Sequence, residues 1–131
     1  MAQLTTNEIA FESLTDVGRV RETNQDAVGS VLSAQGGLLL VVADGMGGHQ
    51  GGETASRIAI ESIFEVVKNS PDDPKDTLKL AVEEANRCIY ARGQSDDALR
   101  GMGTTVVALF FQPDSSVWVA NVGDSRAYRY R

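Results

Sequence analysis

The sequence predicts an α+β fold, with helices packed on a mostly antiparallel sheet. Three observations predict it. The ordered segments run as strands, then two consecutive helices, then strands, which puts the helices to one side of a sheet. Short turn signals, among them a glycine-bearing hairpin turn, join consecutive strand segments into a meander, which argues for antiparallel pairing. Between them, two segments carry apolar residues at three- and four-residue spacing, the period of a helix with one buried stripe.

Taken in order, residues 9–15 alternate loosely as a first strand, and Asp16, Val17 and Gly18 form a turn signal. Residues 19–26 are polar and read as a connection. Residues 27–32 form a short second strand, and residues 33–37, SAQGG, supply a hairpin turn. Residues 38–42, LLLVV, are five apolar residues in a row and read as a strand buried on both faces. Ala43 ends the run. Asp44 then stands at the strand end, and Gly45 frees the backbone to turn, so that its carbonyl and the Asp44 carboxylate point the same way. Residues 46–52 read as a glycine-rich loop.

Residues 53–69 are helical, with Ala55, Ile58, Ala59, Ile63, Val66 and Val67 on one stripe. Residues 70–74, SPDDP, break the helix. A second helix runs over residues 75–92, with Leu78, Ala81, Val82, Ala85, Cys88 and Ile89 on one face. Residues 93–101 read as a polar loop, 103–111 as a strand, 113–116 as a turn, 117–122 as a strand, Gly123-Asp124 as a tight turn and 125–130 as a last strand. The sequence stops in YRYR with no terminator, which reads as a cut through a larger fold, with self-association at the raw edge as the expected result.

With 131 residues the chain reads as a single domain. Hydrophobic residues at 42% and charged residues at 23% are an ordinary globular composition. A net charge of −6 without a Lys/Arg cluster argues against nucleic acid or an anionic membrane as partner. No apolar run approaches the ~20 residues that span a bilayer, and the N-terminus has neither the basic start nor the apolar core of a signal peptide. One cysteine makes no internal disulfide and fits a cytoplasmic compartment; one cysteine and one histidine cannot build a zinc site.

The chemistry concentrates between residues 38 and 52. Two adjacent hard oxygen donors, the Asp44 carboxylate and the Gly45 carbonyl, suit Mg²⁺ or Mn²⁺. Nucleotide readings of the same stretch fail at a required residue. Gly47 and Gly52 have P-loop spacing, but the following position is Glu53, where phosphates need Lys. The dinucleotide pattern needs glycine or alanine where Gln50 stands. A cysteine phosphatase would need Arg six positions after Cys88, and that position is Gln94.

Four motifs, RETNQD (21–26), ADGMGGH (43–49), GTT (103–105) and GDSR (123–126), together resemble the bacterial metal-dependent type-2C (PPM) serine/threonine protein phosphatases. The resemblance implies a four-layer αββα sandwich, two antiparallel sheets flanked by helices, of which residues 1–131 would be one incomplete domain lacking its C-terminal portion. It implies two Mg²⁺ or Mn²⁺ ions with a third, weaker one. Asp44 would bridge the pair, the Gly45 carbonyl would bind one ion, and Asp26 would join their shell. Asp124 would help hold the third ion, and Arg21 would hold the substrate phosphate. The substrate would be a phosphoserine or phosphothreonine protein. Two cations ~3.5–4 Å apart activate a shared water and neutralise charge during phosphoryl transfer, and a guanidinium matches phosphate bidentately. Thr104 and Thr105 would support the site as part of a strand. Eukaryotic members carry a histidine two positions after the bridging aspartate, where this chain has Met46, so His49 inherits no acid role and stands as a candidate substrate contact.

Members of that family are longer, and their second half supplies aspartates in Ser-Asp-Gly and Asp-Asn contexts that do not occur here. Asp26, Asp44 and Asp124 offer three negative charges against the four of two divalent ions. The expectation is therefore a phosphatase chain of impaired activity by itself. The alternative is an inactive relative that binds a partner or phosphopeptide.

Overall fold

The computed structural model describes residues 9–19 and 24–130, without the side chain of His49. Strand β1 (Asp26–Leu32) pairs antiparallel with β2 (Leu38–Met46), so that Leu32 lies opposite Leu38 and Asp26 opposite Asp44. Helices α1 (Gly48–Asn69) and α2 (Pro74–Ser95) follow, then a 3₁₀ turn over Asp97–Leu99. Strands β3 (Gly103–Thr104), β4 (Val106–Phe111) and β5 (Val117–Val122) complete a sheet of order β1-β2-β4-β5, with β3 paired to β2 beyond the end of β4. Every pairing is antiparallel.

Both helices lie on one face of the sheet. Helix α1 buries Ala55, Ala59, Ile63 and Val67, one per turn. The small alanines let it sit close on Leu39, Val41, Ala43, Ala108 and Phe110 of the sheet. Helix α2 packs on α1 through Leu78, Ala81, Ala85 and Ile89. The corner between the helices is built locally. Asp73 caps α2 by accepting from the Asp76 N–H at 2.8 Å, Pro74 occupies the first turn, and the Ser70 and Thr77 hydroxyls meet at 2.9 Å in the interior. The α+β class, the run of strands, two helices and then strands, and the packing of helix on sheet thus accord with the sequence reading.

Several elements differ from it. Residues 9–15 and 125–130 form no strand. Their alternation finds no ladder: β1 and β5 are the sheet edges, and these two segments instead run over the face away from the helices. There Phe11, Leu14 and Tyr128 line a hollow of about 410 Å³ with Val28, Leu40, Val42, Val107 and Leu109. Strand β2 is not buried on both faces. Val41 is 2% exposed under the helices, whereas Val42 on the other side is 48% exposed. It also runs past the apolar residues to Met46, because Gly45 and Met46 pair with Thr104 and Gly103. The expected loop over 46–52 is mostly helix: α1 starts at Gly48, after Gly47 turns the chain at φ 133°. The 93–101 loop shrinks because α2 continues to Ser95 and the 3₁₀ turn buries Leu99.

Candidate metal centre

Four chain segments meet at the end of β2. The first is residues 24–26. Asn24 Oδ1 accepts the Asp26 N–H at 3.0 Å, a local turn that starts β1. The Gln25 carbonyl accepts the Gly45 N–H at 3.0 Å, and the Gln25 side chain donates to the Gly48 carbonyl at 2.8 Å. Gln25 thereby ties the start of α1 to the sheet.

The second segment is Asp44–Gly45. Because Gln25 and Gly45 share a ladder hydrogen bond, the neighbouring pair Asp26 and Asp44 is of the non-hydrogen-bonded kind, in which opposed side chains come closest. Both residues are exposed, on the sheet face away from the helices. Two carboxylates set opposite each other on an exposed strand end are donors suited to a hard divalent cation.

Gly45 is buried, and its reason differs from the sequence reading. It does not adopt a positive φ. A Cβ there would lie 1.9 Å from the Gly52 carbonyl oxygen and 2.7 Å from that of Gln25. The glycine is needed because α1 rests directly on the β2 backbone, not because the chain turns.

The third segment is Gly103–Thr105, and it interrupts the ladder. The Thr105 N–H donates to the Asp44 carbonyl at 2.9 Å, as a strand would. The Asp44 N–H, however, donates to the Thr105 hydroxyl at 3.3 Å, while the Thr105 carbonyl accepts from the Thr104 hydroxyl at 2.8 Å. A side-chain oxygen has replaced a main-chain one, and this separates β3 from β4.

The fourth segment is the turn after β5. The Ser125 hydroxyl meets the Thr105 hydroxyl at 2.5 Å, and Asn121 Nδ2 donates to the Ser125 carbonyl at 3.0 Å. Gly123, at φ 96°, has no room for a side chain, since a Cβ would sit 2.7 Å from Thr105 Cγ2.

The structure therefore brings Asp26, Asp44 and Gly45 together and carries exposed Asp124 on a turn tethered to the same strand end. Among the described residues no three Asp, Glu, His or Cys side chains converge as a metal-holding group. The donors fit one hard divalent ion and fall short of the charge of two. His49 stands in the first turn of α1, its side chain outside the described residues, and Arg21 lies outside them altogether. Sequence reasoning missed Gln25 and Ser125 as supports, and gave Thr105 no partner. Their contacts join residues 20 or more positions apart, which no local pattern signals.

Residues 18–131 match the family model for protein phosphatase 2C. The chain belongs to the protein phosphatase 2C family. It is similar to the serine/threonine phosphatase stp of Listeria monocytogenes, with 37% identity over 122 residues, 89% of this chain and 48% of that protein. The solved serine/threonine phosphatase of S. agalactiae superposes with a TM-score of 0.77 at 38% identity, covering 86% of this chain and 48% of the other. The catalytic domain of Mycobacterium tuberculosis PstP, solved in complex with two manganese ions, gives a TM-score of 0.70 at 36% identity, covering 83% and 45%. The chain thus spans about half the length of these phosphatase 2C relatives. No helix among the described residues is long and apolar enough to cross a membrane.

Proposed function

We propose that this chain carries the metal-binding half of a Mg²⁺- or Mn²⁺-dependent serine/threonine protein phosphatase acting on phosphoserine or phosphothreonine proteins. The observation that carries the reading is the register of β1 on β2, which sets Asp26 opposite Asp44 on the exposed sheet face. The carboxylates of Asp44 and Asp26 would hold the ions, and the Gly45 carbonyl would add a neutral oxygen. When bound, the ions supply an activated water and neutralise charge on the phosphoryl group. Arg21 holds the substrate phosphate through its bidentate guanidinium. Asp124 assists a third ion, and His49 contacts substrate. The Thr105 and Gln25 hydrogen bonds hold the Asp44–Gly45 backbone still while this happens.

The similarity to PstP, solved with two manganese ions, supports two resident cations in the complete enzyme. The two opposed carboxylates here support only one well-held ion, so this chain alone turns over poorly. We read residues 1–131 as one partial unit of the phosphatase domain, because both helices and the sheet share one core. A single half-buried cysteine supports a cytoplasmic setting.

The test is Mn²⁺ titration of the 131-residue chain by electron paramagnetic resonance, beside hydrolysis of p-nitrophenyl phosphate. The expected result is weak binding of one ion, lost in Asp44→Asn, with turnover barely above the metal-only control. Absence of binding would overturn the metal reading. Fast turnover abolished by Asp44→Asn would overturn the argument from charge. The open sheet face, with Leu32, Val42, Val117 and Val119 exposed, and the unpaired edge of β5 support self-association of the isolated chain. Light scattering that gives a single monomer mass at high concentration would count against it.

A further inference from the structure

We infer that Ser125 is a positioning residue, which couples the turn carrying Asp124 to the Asp44 strand end through the Thr105 hydroxyl. The inference rests on the metal reading above for its consequence, and on hydrogen-bond geometry for its existence.

Thr105 is 3% exposed and sits between two functional segments. Its hydroxyl oxygen takes the Asp44 N–H, and the same hydroxyl meets Ser125 Oγ at 2.5 Å. A hydroxyl offers one proton and two acceptor sites. With one acceptor site used by the Asp44 N–H, donation from the buried Thr105 hydroxyl to Ser125 uses the Thr105 proton and leaves the proton of half-buried Ser125 to solvent. The chain of contacts is therefore continuous: Asp44 N–H, Thr105 hydroxyl, Ser125 hydroxyl, and then the turn itself.

Around this link the turn is held from two further sides. Asn121 Nδ2 closes the loop on the Ser125 carbonyl, and Gly123 presses bare backbone against the Thr105 side chain. Asp124 stands between Gly123 and Ser125, so its position follows from contacts that both end on Thr105. Asp124 itself is exposed. Beyond the turn, residues 125–130 form no strand, so no ladder holds it from the other side.

An ion at Asp44 acts on the turn through Thr105, and removal of the Ser125 hydroxyl breaks the hydrogen-bonded part of that link without touching a carboxylate. Ser125 is half-buried, follows β5 outside the strands and is not among the residues of the helix-packed core, so Ser125→Ala leaves that core intact.

The experiment is amide NMR on the full 131-residue chain carrying Asp124→Asn, so that the turn has no carboxylate for Mg²⁺ of its own, as the parent, and on Ser125→Ala and Ser125→Thr in that background, read during Mg²⁺ titration and by hydrogen exchange without metal. In the parent chain, Mg²⁺ shifts the amides of 44–45 and of 123–126 with a common midpoint. In Ser125→Ala the 44–45 amides still respond, the 123–126 amides no longer follow, and metal-free exchange in the turn rises at least about tenfold; Ser125→Thr restores both. Turn amides that still follow the Asp44 midpoint in Ser125→Ala, or exchange unchanged from the parent, overturn the inference. A parent chain whose 44–45 amides ignore Mg²⁺ overturns the metal reading instead, and the exchange comparison then decides whether the bridge exists.

Discussion

The two faces of the sheet follow different rules. The face under α1 and α2 presents Leu39, Val41, Ala43, Ala108 and Phe110, all nearly sealed from water. The opposite face presents Val28, Leu40, Val42 and Leu109 around an open hollow, with Asp26 and Asp44 at one end. Adjacent residues of one strand therefore do different work. Gly45 is fixed by packing, whereas Asp44 faces solvent and is free to serve a cation. The buried apolar core lies on one side, and the exposed carboxylates and exposed valines lie on the other.

The largest test of that contrast is a matched pair of truncations. Leu39→Ala should cost about 2–5 kcal/mol in urea unfolding, because the methylenes leave a cavity the helices cannot fill. Val42→Ala, three positions on and on the open face, should cost under about 1 kcal/mol. Equal losses would mean that the open face is covered in solution. Next in size is Gly45→Ala, with an expected loss of about 1–3 kcal/mol or more, since the added carbon meets backbone that cannot swing aside. A variant as stable as the parent would show that α1 can lift from β2.

The neighbouring change, Asp44→Asn, should not share that loss. Without metal it should leave the chain no less stable than the parent in urea unfolding, because the exposed carboxylate holds nothing in the fold; a loss in metal-free buffer would mean that Asp44 holds the fold and not an ion. The smallest expected loss lies at the β4–β5 hairpin, away from the carboxylate pair. The hydroxyl and N–H of Ser116 hold the Asp114 carboxyl below its ordinary range. A depressed carboxylate contributes stability above its unfolded pKa and loses it as pH falls through the folded value. Asp114→Asn should therefore lower the melting temperature slightly at neutral pH and have no effect in strong acid. The opposite ordering would contradict the hydrogen bonds.

Much of this was legible in the sequence because it is encoded locally. The period of Ala55, Ala59, Ile63 and Val67, the SPDDP break and the SAQGG hairpin each name an element within a few residues. Asp44 was legible as a candidate ligand because a carboxylate directly follows an apolar run. What escaped was set by partners distant in sequence. Residues 9–15 and 125–130 alternate like strands, but no neighbour offers them a ladder. Gly45 looked like a turn residue because the sequence does not show that Gly52 lies against it. The Thr105–Ser125 link spans 20 positions and two polar residues of ordinary appearance.

The backbone contact of Gly45 with Gly52 has a kinetic consequence. The two residues are only seven positions apart in the chain, so the knot between strand end and helix start closes on the timescale of short loops, roughly 10–100 ns. The pairing of β4 on β2 must wait for two whole helices to intervene. Pulse-labelling during refolding should find the Gly45 amide, held by the Gln25 carbonyl, protected before the Asp44 amide, which needs Thr105, and before those of β4.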